Sequence, residues 1–398
     1  MRSVMLLTAA ACTVMAMTML SCTGKDDVEN DDLPGSYPPG AANVINLSKL
    51  VAESLTDSTF TVTDGMVLTD TLDGWTQKIK IVIADGATVT LADAAINGVH
   101  YGVGSSDTEC FWAGLTCLGD ATIILADSTT NTVTNFNRNY PCIHVTEGKT
   151  LVIKGGTEGT GKLIANNSYF GSGIGGGDNI NCGNICIEGG IIQANGGHGS
   201  AGIGAGYFAS CGNITITGGN ITATSEGDGA GIGTGFRASC GDITITGSNI
   251  TATGGGNSAG IGCGNMASCG NISISGGDIL AQGGSYGAGI GCGFGYKITP
   301  SSCGNITISY SESFVRVTAI RGNGAQFSIG PSNRDYQVTN CGEVKFGYQI
   351  VKEAHMYYVD VRNGSYPLKL HLTISTTIPE GETDEEPYID NTWTLEPL

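Results

Sequence analysis

Residues 202–224 read GIGAGYFASCGNITITGGNITAT, and this stretch decides the fold. Its tripeptide Gly-Ile-Gly recurs every 29 residues, with copies that begin at Gly173, Gly202, Gly231, Gly260 and Gly289. The dipeptide Cys-Gly recurs at spacings of 29, 29, 29, 34 and 38 residues, at Cys182, Cys211, Cys240, Cys269, Cys303 and Cys341. A period of this length is typical of solenoid proteins, in which each repeat forms one structural unit.

Each repeat contains two short runs in which apolar and polar residues alternate. In residues 213–217, Ile214 and Ile216 alternate with threonines, which indicates a strand with one buried face. A Gly-Gly bend that requires positive φ leads to the second run, residues 220–224. The Ala-Gly-Ile-Gly segment is predicted to be a third strand of each coil. A period of 3.6 residues is absent, which excludes coils made of helices.

One coil cannot bury its apolar face alone, so successive coils are expected to stack in parallel register, about 4.8 Å apart. We therefore predict an all-β fold, a single-stranded right-handed parallel β-helix with coils of about 29 residues. Equivalent isoleucines then form internal columns, namely Ile203, Ile232, Ile261 and Ile290 in one and Ile214, Ile243, Ile272 and Ile306 in another.

The repeat also suggests how the chain is divided. The β-helix is predicted over residues 43–346, with an irregular part (43–170), regular repeats (171–309) and a degenerate coil (310–346). Residues 347–398 lack the repeat but contain alternating stretches, and we expect them to form a C-terminal β cap with an acidic tail. Such a cap would protect the last open edge of the stack.

Composition limits the partners. The chain has 36 acidic and 18 basic residues, for a net charge of −18. A surface this acidic repels phosphate backbones, so no nucleic acid partner is expected. No cofactor and no metal site are predicted. The spacing of the Cys and His residues does not fit a zinc site. Binding of Ca²⁺ stays an open alternative only because the chain is acidic.

The first 22 residues have the pattern of an export signal. Arg2 precedes a mostly apolar run, and residues 19–22 read Met-Leu-Ser-Cys, which resembles a bacterial lipobox. Cys22 would then be lipidated and would anchor the chain in the outer membrane. A plain secretory peptide and an uncleaved membrane helix are the alternatives.

Residues 23–42 are predicted to be a flexible, acidic and Pro-rich linker. Within this linker, residues 25–27 read Lys-Asp-Asp, which resembles a surface-export signal of lipoproteins in one group of Gram-negative gut bacteria. The chain is therefore expected to be an outer-membrane lipoprotein exposed at the cell surface. A merely solvated linker is the alternative interpretation of the acidic residues.

The stretch from Gly202 to Gly219 resembles a repeat of secreted bacterial β-helix proteins of the carbohydrate-binding type, within the pectate-lyase-like superfamily. The upstream stretches 119–125, 140–141 and 148–151 are similar to the N-terminal half of those proteins, so the resemblance covers about residues 43–310. It implies the architecture. It does not imply one activity, because the superfamily contains lyases, hydrolases, adhesins and plain binders.

No catalytic residues are predicted. A polysaccharide lyase needs clustered carboxylates and a base, and an inverting hydrolase needs two facing carboxylates. When the ionisable residues of 182–309 are placed on the repeat, no column carries two acids beside a base. A site in the irregular part, with Asp107, Glu109 and Asp120, stays open.

The loop after Gly-Ile-Gly provides the candidate ligand-binding residues. Rings and polar residues recur there one coil apart, which would make a stripe suited to stacking on sugars. The alternative is that the rings point inward and fill the stack of loops. The candidate stripe consists of Asp178, Tyr207, Phe236, Arg237, Asn265 and Phe294.

The cysteines fall into columns. Six share the Cys-Gly column, and Cys263 and Cys292 share another. We interpret them as buried, reduced thiols, with cross-coil disulfides as the alternative.

Three functions follow from these features. The first is a non-catalytic carbohydrate-binding or adhesive protein whose partner is a polysaccharide or host glycan. The second is a lyase or hydrolase of uronic-acid polymers. The third is a structural protein, or one that binds a host protein. The sequence carries no signal for an oligomeric state.

Overall fold

The computed structural model describes residues 43–50, 58–98, 110–167, 169–310, 315–325, 327–332 and 338–348, and the backbone of Met356–Asp360, Leu368–Thr373 and Thr394–Pro397. All of these residues belong to one compact unit, Gly35–Leu398. The predicted signal segment with Cys22, the linker 23–42, and Asp107 and Glu109 lie outside the described residues.

One coil is built from four short strands. In the coil that contains the quoted stretch they are Ile203–Gly204, Ser210–Cys211, Ile214–Ile216 and Asn220–Ser225. The prediction of three strands per coil was wrong, because it missed Ser210–Cys211. This strand has only two residues, so it shows no alternation in the sequence, and its partner Ser239–Cys240 defines it.

The strands run along the chain as follows. The irregular part contains β1 (Val44–Asn46), β2 (Thr59–Val62), β3 (Val67–Asp73), β4 (Lys80–Ile83), β5 (Thr88–Asn97), β6 (Leu115–Cys117), β7 (Ala121–Leu125), β8 (Thr130–Val133), β9 (Ile143–Val145), β10 (Thr150–Gly155) and β11 (Lys162–Asn166), with a 3₁₀ helix at Leu47–Lys49. The regular repeats contain β12 (Ile174–Gly175), β13 (Asn184–Ile187), β14 (Ile191–Gly196), β15 (Ile203–Gly204), β16 (Ser210–Cys211), β17 (Ile214–Ile216), β18 (Asn220–Ser225), β19 (Ile232–Gly233), β20 (Ser239–Cys240), β21 (Ile243–Ile245), β22 (Asn249–Thr253), β23 (Ile261–Gly262), β24 (Ser268–Cys269), β25 (Ile272–Ile274), β26 (Gly277–Gln282), β27 (Ile290–Gly291), β28 (Ser301–Cys303) and β29 (Ile306–Tyr310). The remaining strands are β30 (Val315–Ile320), β31 (Ile329–Gly330), β32 (Thr339–Cys341), β33 (Val344–Tyr348), β34 (Met356–Asp360), β35 (Leu368–Thr373) and β36 (Thr394–Pro397).

Equivalent strands of successive coils pair in parallel and in register, which confirms the predicted parallel β-helix. Ile214 pairs with Ile243, and Ile243 pairs with Ile272. The register survives the longer spacings, because Cys269 pairs with Cys303 and Cys303 pairs with Cys341. Between Cys269 and Cys303 the extra residues lie in a loop outside the strands.

The core consists of the isoleucine columns predicted from the repeat. Ile203, Ile214 and Ile243 are 0% exposed, while Thr215 and Thr244 between the isoleucines lie half-exposed on the outer face. Burying each isoleucine side chain contributes about 1.5–3 kcal/mol. The same apolar filling continues through the irregular part, so one core runs along the described stack.

The second glycine of Gly-Ile-Gly permits the close approach of the coils. Gly204 and Gly233 have φ of 129° and 135°, a conformation that other residues rarely adopt. A Cβ atom on Gly233 would lie 2.0 Å from the carbonyl oxygen of Gly262 in the next coil. This position therefore requires glycine in order to keep the coils in register.

A column of side-chain amides and carboxylates runs parallel to the backbone pairing. Asn213 Oδ1 accepts the backbone N–H of Asp242 at 2.9 Å, and Asp242 Oδ1 accepts that of Asn271 at 2.7 Å. Asn184 and Asn305 continue this contact in the two directions, at 2.9 Å in each case. These bonds satisfy N–H groups that the strands leave unpaired at the turn.

At the C-terminal end the parallel stack continues past the boundary predicted at residue 346. β34 pairs in parallel with β30, and β35 and β36 then follow as antiparallel strands. The β cap with its acidic tail, predicted over residues 347–398, stays a prediction. No helix within the described ranges is long and apolar enough to cross a membrane.

Candidate functional site

The candidate stripe lies in the loop that follows the Ile-Gly strand of each coil, which spans residues 205–209 in the coil of Tyr207. Asn179, Phe208, Arg237 and Met266 all adopt the left-handed conformation, with φ between 49° and 55°. The N–H of Phe208 donates to the carbonyl oxygen of Phe236 at 3.0 Å, and the equivalent bond recurs in the neighbouring coils. Left-handed backbone costs a non-glycine residue energy, and the inter-coil hydrogen bonds offset this cost.

Four aromatic side chains, Phe170, Tyr207, Phe208 and Phe236, meet at this edge, and we call them the aromatic cluster. Tyr207 and Phe236 stack with ring centroids 5.1 Å apart and an interplanar angle of 18°. Phe208 stands edge-on to both rings, at 4.7 and 5.5 Å. Phe208 is 41% exposed, and Tyr207 and Phe236 are half-buried, so the cluster presents ring surface to solvent.

Arg237 covers one side of the cluster. Its guanidinium carbon lies 5.7 Å from the ring centroid of Phe208 and 5.3 Å from that of Phe236, within the range of cation–π attraction. Within the part of the chain that the structure describes, no carboxylate forms an ion pair with Arg237. One guanidinium nitrogen donates to Met266 Sδ at 3.9 Å, and the other N–H groups can hydrogen-bond a ligand beside the rings.

His198 and Asp178 lie at the margins of the cluster. His198 is exposed, and its ring contacts Phe170 edge-on at 6.2 Å. Asp178 is half-exposed, and its carboxylate accepts a hydrogen bond from Asn179 at 2.6 Å. His198 therefore brings a polar ring next to the aromatic cluster, and polar groups beside aromatic rings are expected of a site for an amphipathic ligand.

The structure buries two of the predicted stripe residues. Asn265 is 5% exposed, and its amide nitrogen donates to Asp228 at 3.1 Å. Phe294 is 6% exposed because it packs between Tyr286 and Tyr296, at 5.7 and 4.7 Å. At these two positions the side chains fill the loop stack, which is the alternative that the sequence left open.

Two exposed tyrosines near Phe294 were missed by the sequence analysis. Tyr286 and Tyr296 are 39% and 46% exposed, and Ile298 beside them is 90% exposed. Tyr296 pairs with Thr299 in a tight antiparallel bridge, so residues 296–300 form a projecting loop that also carries Lys297. The signal was present in the sequence, because the spacing from Cys269 to Cys303 is 34 residues rather than 29.

The charged residues elsewhere are engaged in other contacts. Glu188 pairs with Lys154 at 3.0 Å, and Asp278 pairs with Arg316 at 2.8 Å. Asp120, which had been left open as part of a catalytic site, accepts the backbone N–H of Thr150 at 2.8 Å. Among the described residues, no group of three or more His, Cys, Asp or Glu side chains could hold a metal ion.

Comparison with known proteins supports the fold. A family model described as Beta helix repeat matches residues 185–207, 214–236, 243–265 and 272–294. Each matched segment begins at an inward isoleucine and ends at the column of Tyr207 and Phe236. No curated protein and no solved structure matches the chain. The matched repeats and the parallel register together show that the chain is a right-handed parallel β-helix.

Proposed function

We propose that this protein is a surface-exposed lipoprotein that binds a polysaccharide or host glycan without catalysis and so acts as a carbohydrate-binding or adhesive protein. The observation that carries the proposal is the aromatic cluster with Arg237 across it. The apolar face of a sugar ring can lie on exposed aromatic rings, while its hydroxyl groups take hydrogen bonds from adjacent polar side chains. Phe208 supplies such a ring, and Arg237 supplies the donors.

The scaffold supports this proposal because it holds the site rigidly. The backbone N–H of Phe208 is bonded to one neighbouring coil, and that of Arg237 is bonded to the next coil, at 2.9 Å. A ligand therefore meets side chains whose backbone is already ordered, which lowers the entropic cost of binding. In the described part of the chain, no group of three or more His, Cys, Asp or Glu side chains could hold the Ca²⁺ that a polysaccharide lyase uses.

Surface display is supported by the sequence pattern of residues 1–27. A cleavable apolar signal that ends just before Cys22 would place the β-helix outside the cell, where glycans are available. Incorporation of a labelled fatty acid in growing cells tests the anchor, and Cys22→Ser should abolish the labelling. Labelling that persists in this variant would refute the lipidation site.

Binding is tested with the purified full-length chain on a panel of polysaccharides and mucin glycans, with affinities measured by calorimetry. Phe208→Ala removes the most exposed ring of the cluster and should weaken binding by about two- to tenfold, because a lost ring contact costs about 0.5–1.5 kcal/mol. Arg237→Ala should weaken binding by a similar factor. Thr222→Ala serves as the matched control, since Thr222 is exposed on another strand of the same coil.

Three results would contradict the proposal. Equal affinities for the wild type, Phe208→Ala and Arg237→Ala would show that the aromatic cluster is not the site. Release of reducing ends or unsaturated products would show an enzyme. Retained binding to a partner that has been enzymatically deglycosylated would show recognition of protein instead of carbohydrate.

A further inference from the structure

The interior contains two columns of cysteine that meet in two coils. One column lies on the Ser-Cys strands, and the other follows the Ile-Gly strands at Cys263 and Cys292. The Sγ atoms of Cys263 and Cys269 are 3.2 Å apart, and those of Cys292 and Cys303 are 3.5 Å apart. The four side chains are at most 8% exposed. We call these four residues the facing thiols.

The other coils lack this arrangement. The residues at the positions equivalent to Cys263 do not contain sulfur, so the cysteine of the same coil has no thiol opposite it. These positions are Gly176, Ala205 and Thr234, which correspond to Cys182, Cys211 and Cys240 in the Cys-Gly column.

The geometry decides between partners across the coil and partners along the column. In-register parallel strands hold equivalent atoms, including the Cβ atoms, about 4.8 Å apart. This distance exceeds the Cβ–Cβ separation of about 3.5–4.5 Å in a disulfide. The Sγ atoms of Cys303 and Cys341 are 3.1 Å apart, but these two residues are in-register neighbours along the column, so the strand spacing disfavours a disulfide between them. Cys263 and Cys269 belong to two different walls of one coil. We propose that oxidation links Cys263 to Cys269 and Cys292 to Cys303, as two disulfides that each close one coil.

These disulfides would lie beneath the candidate binding edge. The first closes the loop 264–268, which carries Asn265 and Met266, and the second closes the loop 293–302, which carries Tyr296 and Lys297. Each bond therefore fixes the two ends of a display loop while leaving its tip free to contact a ligand. This proposal does not depend on carbohydrate binding, because it concerns only the pairing of thiols.

The oxidant is a small-molecule disulfide such as oxidised glutathione. A cysteine thiolate attacks it, one glutathione leaves as a thiol, and the facing cysteine then displaces the second glutathione. In sum, two protein thiols lose two protons and two electrons, and the oxidant becomes two thiols.

Cys263 and Cys303, one in each proposed pair, are suited to begin this reaction, because hydrogen bonds with neighbouring cysteines lower the pKa of both thiols. Burial raises the pKa of Cys263, but hydrogen bonds from Cys269 and Cys292 outweigh burial and lower the pKa to about 6. Burial raises the pKa of the isolated thiol of Cys117 to about 12. The oxidant reaches the facing thiols when a loop opens transiently, since all four are buried.

The test maps the bonds in the full-length chain. The reduced protein is incubated with oxidised glutathione, the free thiols are alkylated in denaturant, and the fragments are analysed by mass spectrometry. Cyanogen bromide cleaves after Met266, and trypsin cleaves after Arg237, Lys297 and Arg316. Sequencing of the joined fragments by tandem mass spectrometry then separates Cys240 from Cys263 and Cys269 from Cys292, which share fragments. We expect the loss of four alkylated cysteines relative to the reduced chain, and one species in which two disulfides hold the three fragments 238–266, 267–297 and 298–316 together.

Two variants serve as controls. Cys263→Ser should release only Cys269 for alkylation, and Cys211→Ser, in the same column without a facing thiol, should leave both bonds intact. Mapping of the wild-type chain decides the proposal even if a variant fails to fold. Full alkylation after oxidation, or a bond along the column such as Cys303–Cys341, would overturn it. None of these outcomes bears on glycan affinity, which is measured separately.

Discussion

Replacing Ile243 with alanine tests whether the stacked isoleucine columns hold the fold together. Ile243 is 0% exposed and lies between Ile214 and Ile272 of the adjacent coils. At about 0.8 kcal/mol per buried methylene, the lost side-chain carbons cost about 2.4 kcal/mol. The cavity left between two coils adds to this, so the total loss in free energy of unfolding is expected within about 2–5 kcal/mol.

The loss is measured by urea unfolding followed by far-ultraviolet circular dichroism. Thr244→Ala is the matched control, because Thr244 is the next residue on the same strand and lies half-exposed on the outer face. Its substitution should change stability by about 0.5 kcal/mol or less. The midpoint should shift without a change in slope if stability alone is altered. Equal losses for Ile243→Ala and Thr244→Ala would refute the inward assignment of the isoleucine column.

Three further predictions concern the backbone, the amide column and pH. Gly233→Ala should destabilise the protein by more than the roughly 1–2 kcal/mol expected for positive-φ backbone alone, because the added Cβ would lie 2.0 Å from the Gly262 oxygen. Gly86→Ala should cost only about 1–2 kcal/mol, because Gly86 has a φ of 77° and no atom within 4 Å of the added Cβ. Thermal melts that show equal losses for the two variants would contradict the close approach of the coils at Gly233. Asn213→Ala should lower the free energy of unfolding by about 0.5–1.5 kcal/mol and speed hydrogen exchange at the Asp242 amide. Asn213→Asp keeps an acceptor oxygen and should leave this amide protected. Unchanged exchange in Asn213→Ala would count against the column of side-chain amides and carboxylates. Burial and the nearby Lys80 lower the pKa of His144, although the hydrogen bond to the Asn181 carbonyl oxygen opposes this shift. The unfolded chain therefore binds the proton more readily, and the free energy of unfolding should decrease as the pH falls below about 6.5. Urea titrations from pH 7 to pH 5 should show a smaller decrease for His144→Gln than for the wild type, and an identical decrease would exclude this role of His144.

The architecture could be predicted from the sequence because the same side chain returns at each coil. The 29-residue period places Ile214 over Ile243, and the alternation with threonine shows which side faces inward. The period and the alternation can both be read from one repeat and its copy, without knowledge of the rest of the fold. The longer spacings before Cys303 and Cys341 did not disturb this prediction, since both cysteines pair in register with the equivalent cysteine of the preceding coil.

The candidate site could be predicted only in part, because exposure of a loop residue depends on what packs over it. Tyr207 and Phe294 share one column, yet Tyr207 is half-buried and Phe294 is buried under Tyr286 and Tyr296. The covering tyrosines lie at other positions of the coil, so the column pattern does not reveal them. The facing of Cys263 and Cys269 was hidden for the same reason, because it depends on how the chain bends between two walls.

The projecting loop at residues 296–300 shows how such a scaffold can evolve. Its extra residues leave Ile290 paired with Ile261 before the loop and Ser302 paired with Ser268 after it. Insertions at this position are therefore decoupled from folding, since neither the register nor the buried columns change in response. Natural variation, or a designer grafting a peptide, can diversify one coil at a time while the strands and the core of the other coils stay unchanged.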